Sequence, residues 1–189
     1  MNSVPWIAIG GVVLFLAIVG AFMLVDRQES AASSTTPPAT SGTTDAAALT
    51  PVEAAEQLFN HVMAASERGD TAEAKRFAPM ALEAYRQLAT LDEDAHYHVG
   101  LIHVTLGDIE SAQSELDAIR STAPNHLLGI MLEEAIAEAK GDDDGVARAY
   151  QRFLDAYDVE ITAGLSEYEG HRTGIEGFRS RARAAVGDP

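Results

Sequence analysis

The chain has 189 residues, 47% of them hydrophobic, with 29 acidic residues against 13 basic ones, a formal net charge of −16 and no cysteine. So negative a field repels phosphate backbones and anionic headgroups, which excludes nucleic acid as a natural partner and leaves basic or apolar proteins and peptides, or an acidic surface that only confers solubility. The lack of cysteine removes disulfides, zinc-thiolate sites and thiol nucleophiles together.

A short tail, residues 1–5, precedes an uncharged run over residues 6–25, WIAIGGVVLFLAIVGAFMLV. At about 1.5 Å per residue such a helix covers the roughly 30 Å hydrocarbon core of a bilayer. The tail MNSVP has no Lys or Arg and the apolar run is long for a secretory signal, so an uncleaved single-pass anchor is expected. Arg27 is flanked by Asp26 and Glu29, so the charge rule gives only a slight vote for a cytoplasmic C-terminus. The short tail and the following tether are instead the layout of proteins that export their C-terminal domain, and the periplasmic or outer side is expected. Residues 26–49 are rich in Ser, Thr, Ala and Pro and poor in bulky apolar residues, too little to offset the entropy of ordering, so they read as a flexible tether.

Residues 50–189 show apolar residues at helical spacing, few β-branched runs and much alanine, which predicts an all-α domain. Thr50, Pro51 and Glu53 form a capping-box start. Three Gly-Asp turns follow: Gly69-Asp70 with Ala74, Gly107-Asp108 with Ala112, and Gly141-Asp142 with Val146. Glycine ends one helix in a left-handed conformation, aspartate caps the next, and the small residue lets the two helices approach. Pro79 falls inside the second helical stretch and predicts a break or kink near Ala78. At the end of the chain, Leu165, Tyr168, Ile175, Phe178 and Ala182 are spaced to cap an open helical stack. Gly170, Gly174 and Gly177 share a face there, which allows either close packing or a break near Gly170.

His96, His98 and His103 cluster in HYHVGLIHVTLGD, but on one helix His96 and His103 lie roughly 10 Å apart along the axis and His98 points elsewhere, so they cannot share an ion and a structural role is expected. The GDDDG run at 141–145 lacks the later ligands of a calcium loop. Neither a nucleophile elbow nor a phosphate-cradling loop nor a paired histidine-carboxylate motif nor a cofactor fingerprint stands out, so no metal, no cofactor and no enzymatic activity are expected. If His103 fills a core position, burial should lower its pKa, and acidification below about 6 should loosen the domain.

The turns recur at intervals of 38 and 34 residues, and the middle unit sets His96, Val99, Gly100, His103, Ala112, Leu116 and Pro124 against the pattern W-x2-L-G-x2-Y…A-x3-F…P. It resembles a degenerate tetratricopeptide repeat, with Gly100, Ala112 and Pro124 matching outright and histidines replacing two aromatic positions. The likeness is weaker in the first unit, which carries extra residues and Pro79, and in the third, where Ile130, Glu133 and Glu134 stand in the signature and no proline follows. It implies a short TPR-like α-α solenoid of about three helix pairs plus a capping helix. In that family the first helix of each pair lines a concave groove for a peptide, and carrying this over selects Tyr97, His98, Leu101, Val104 and Thr105 in the middle unit and Met131, Leu132, Ala135 and Glu138 in the third. The Lys, Arg and Asn clamp of chaperone-binding members is missing. The resemblance thus implies a membrane-tethered interaction module, a scaffold or accessory chaperone for an unidentified protein or peptide, similar in layout to single-span TPR proteins of the bacterial envelope. A structural subunit using a flat helical face, and an unrecognised enzyme, are the alternatives.

Overall fold

The structure, a computed structural model, describes residues 49–187. The expected anchor and nearly all of the expected tether lie outside the described residues, among which no helix is long and apolar enough to cross a membrane.

The described residues form eight helices and no strand: α1 (Pro51–Glu67), α2 (Thr71–Arg86), α3 (Glu93–Leu106), α4 (Ile109–Thr122), α5 (Leu127–Lys140), α6 (Asp143–Ala163), α7 (Ser166–Gly170) and α8 (Arg172–Val186). Their boundaries follow local chemistry. Thr50 Oγ1 accepts from the Glu53 amide at 3.2 Å while the Thr50 amide donates to Glu53 Oε2 at 2.8 Å, satisfying two of the orphan donors that open α1. The three Gly-Asp turns have one geometry. Gly69, Gly107 and Gly141 have φ of 73°, 76° and 67°, where a side chain would be strained. Asp70, Asp108 and Asp142 then accept from the amide three residues on, at 3.0, 3.2 and 2.9 Å.

Of the break or kink expected near Ala78, no break occurs: α2 runs through Pro79 as one helix. Pro79 and Lys75, whose carbonyl loses its partner, are both exposed, so water can serve that carbonyl while Ala78 and Ala81 stay buried on the other side.

The helices pack as neighbours in sequence, α1 with α2, α3 with α4 and α5 with α6, and each new pair lies on the one before through α3 and α5. α3 and α5 approach closely at Gly100, where a Cβ would collide with the Leu132 side chain. α5 is buried almost all round, from Leu127 to Ala137, because α3, α4, α6 and α8 surround it. The C-terminal stripe behaves as its spacing predicts: Tyr168, Ile175, Phe178 and Ala182 are buried and Leu165 is half-buried. Of the two readings for its glycines, the break is the one found, α7 ending at Gly170 and α8 starting after His171.

Two apolar clusters result, divided by α3. Ala95, Val99 and Ile102 face the cluster of α1 and α2, whereas Tyr97 joins the larger cluster of α4 to α8.

Candidate functional site

The side chains expected to line a groove are mostly covered. Tyr97, His98, Met131, Leu132 and Ala135 are buried, Leu101, Val104 and Thr105 are half-buried, and only Glu138 is exposed. Leu132 is covered by α3 at Gly100 and His98 by Phe59 and Tyr85, while Tyr97 and Met131 are covered by the return of the C-terminal segment. α8 packs on α6 and α5, Gly174 brings its backbone over Met131, and the ring of His171 meets Tyr97 edge-on at 5.4 Å. Leu101 and Val104 pack against the larger cluster, and the Thr105 hydroxyl donates to the Leu101 carbonyl of its own helix.

Polar contacts fasten this segment at its α7 end. The Tyr168 hydroxyl accepts from the Leu127 amide at 3.0 Å, which serves an otherwise orphan donor at the start of α5, and donates to Glu160 at 2.8 Å. His126 Nε2 lies 3.2 Å from Glu167. His171 Nε2 reaches Asp94 Oδ1 at 2.6 Å across 77 residues of sequence.

Asp94 and His98 stand one helical turn apart on α3, so both side chains leave the same face, and His98 Nε2 lies 3.6 Å from the same Asp94 oxygen. Donor atoms of Asp94, His98 and His171 all lie within 4.8 Å of one another, the one such group of three found among the described residues. The ring of His98 is held on three sides. Phe59 of α1 stacks on it at 3.9 Å with planes 25° apart, the Tyr85 hydroxyl of α2 meets Nδ1 at 2.9 Å, and His171 sits 5.1 Å away.

These surroundings set the charges. Burial brings the pKa of His98 down to about 4 against the opposing pull of Asp94, so the imidazole is neutral at neutral pH. Burial pushes Asp94 the other way, but its hydrogen bond with His171 and the nearby imidazoles more than offset this and hold it below the usual carboxylate value. Burial, with the Asp94 charge added, raises the Tyr85 and Tyr97 hydroxyls well above the ordinary phenol value. A carboxylate, two imidazoles and the protonated Tyr85 phenol are therefore brought to one spot, with the Tyr97 ring beside them.

No family model, curated protein or solved structure matches this chain.

His96, His98 and His103 go to three different places. His96 Nδ1 meets Glu115 at 2.6 Å and is partly exposed. His103 is half-buried, its Nδ1 3.3 Å from Asp108, and of the three it is His98 that is buried. The expected absence of a paired histidine-carboxylate motif is corrected by Asp94-x-x-x-His98, a pair at helical spacing legible in the sequence, whereas the third member, His171, has no local signal.

A wide depression of about 670 Å³ lies between α6 and the C-terminal part of α8, lined in part by Leu154, Asp155, Asp158 and Arg179. Arg179 stands 3.9 Å from Asp158 there and covers the Tyr157 ring at 3.9 Å, which accounts for its charge within the domain.

Proposed function

We propose that the chain is a membrane-tethered, TPR-like interaction module, anchored through residues 6–25 with its helical domain on the periplasmic or outer side, which holds a protein partner near the bilayer. The observation that supports this reading best is the thrice-repeated helix pair with its Gly-Asp turn, joined to its neighbour by close approach at Gly100. In this reading the α7–α8 segment occupies much of the surface that a peptide takes in tetratricopeptide proteins, and Glu138 with the half-buried Thr105 marks the part still reachable.

A second reading, a structural subunit docking through an outer helical surface, is favoured by that same coverage. Photo-crosslinking residues placed in the full chain in intact membranes distinguish the two. Capture of one defined protein from positions 105 and 138, increased by His171→Ala, supports the interaction surface between α3 and α5. Capture confined to the exposed positions 114 and 117 on α4 would overturn it in favour of the subunit.

A further inference from the structure

We propose that Asp94, His98 and His171 form a binding site for a divalent transition-metal ion of the zinc type, which pins the α7–α8 junction to α3. The geometry is the first support. Ligand atoms about 2.0–2.2 Å from a tetrahedral ion lie roughly 3.4 Å from one another. The observed Asp94–His98 separation is 3.6 Å and the Asp94–His171 separation 2.6 Å. The ion would therefore replace the shared proton between His171 and Asp94 with small side-chain rotations.

The outer contacts are the second support. A metal-bound imidazole keeps its tautomer and ring orientation through a partner on its other nitrogen. His98 has such a partner in the Tyr85 hydroxyl at 2.9 Å, its ring plane is set by Phe59, and its Nε2 is left facing Asp94. Access is the third. The His98 side chain is 7% exposed, whereas Asp94 and His171 keep 24% and 23%, so the ion has an entry path and water a fourth position. Two imidazole nitrogens and one carboxylate suit zinc and its first-row neighbours rather than magnesium or calcium, which require more oxygen ligands.

The remaining histidines make useful controls. His61 with Glu73, His96 with Glu115, His103 with Asp108 and His126 with Glu167 each bring one imidazole to one carboxylate, with no third donor grouped there. All six histidines of the chain lie in the described residues. A bound ion would join residues 77 apart in sequence, so its binding energy would appear as stability of the folded domain.

The test is equilibrium dialysis of the full chain, purified in detergent without a histidine tag and stripped with chelator, against zinc alone. Bound metal is read by elemental analysis and helicity by circular dichroism. The expected result is one zinc per chain and a raised thermal midpoint, with affinity weakened on the order of tenfold or more in both His171→Gln and Asp94→Asn, but unchanged in His61→Gln and His96→Gln. His171 is partly exposed and ends a short helix, so its variant should keep the fold. Absence of stoichiometric zinc in the parent chain, or zinc that survives both His171→Gln and Asp94→Asn in folded protein, would overturn the site.

Discussion

The first helix pair and the rest of the domain are built from different materials. Of the eleven buried residues in the α1–α2 cluster six are alanine, whereas the larger cluster has three alanines among seventeen and is otherwise Leu, Ile, Met, Phe and Tyr. Alanine lets helices approach closely but removes little apolar area from water, and stabilisation scales with that area at about 25 cal/mol per Å². The α1–α2 pair is therefore the weaker region, and it depends on the seam with α3, where Phe59 and Tyr85 grip His98.

The contrast can be broken most severely in the large cluster. Phe153 is fully buried, 4.5 Å from the Phe178 ring, and Phe153→Ala should cost about 3–5 kcal/mol and lower the denaturant midpoint of the whole domain, as measured by denaturant unfolding. A change at the seam comes next. His98 has an ordinary pKa of 6.5 when unfolded and about 4 when folded, so the unfolded chain takes up the proton first. Its contribution is fully present above pH 6.5 and is lost as pH falls towards 4, by about 3 kcal/mol. Unfolding curves with chelator present should fall across that window, and those of His98→Phe should fall less.

In the small cluster the damage comes from addition rather than removal. Ala78 is fully buried among alanines, and Ala78→Leu should cost about 1–3 kcal/mol. Hydrogen exchange should show the loss confined to α1 and α2; an equal loss in α5 would erase the distinction between the regions. The smallest effect sharpens the comparison from the other side. Glu134 is buried on α5, where burial raises its pKa although the Tyr150 hydroxyl donates to it at 2.9 Å. A raised carboxylate pKa means that its stability contribution is complete below the unfolded value and is lost as pH rises through the folded one. Glu134→Gln keeps an acceptor for Tyr150 and should raise the thermal midpoint slightly at pH 7, with the gain disappearing by pH 4.

What the sequence made legible was local. The Thr50–Glu53 box, the three Gly-Asp turns and the apolar stripe from Leu165 to Ala182 are each determined by residues within a few turns of one another, and each is found where its spacing places it. Pro79 does not end α2, because helix breaking depends on whether solvent can serve the freed carbonyl, a property of the fold and not of the residue. The expected groove misled for a larger reason. Tyr97, Met131 and Leu132 do sit on the first helices of successive pairs, but whether a face stays open depends on where α7 and α8 return, and no local pattern encodes that. The histidines show the same limit, since Asp94 and His98 could be read as a pair while His171 arrives only by tertiary folding.

The C-terminal segment covers that face, and methionine oxidation is the test of it. Met131 is 9% exposed beneath the C-terminal segment, while Met80 on α2 is 52% exposed and serves as the internal reference. Treating the full chain with dilute peroxide and mapping the sulfoxides over time should find Met80 modified many times faster than Met131, with the difference reduced in His171→Ala. Oxidation of Met131 at the rate of Met80 in the parent chain would mean that the face between α3 and α5 stands open, and would contradict the claim.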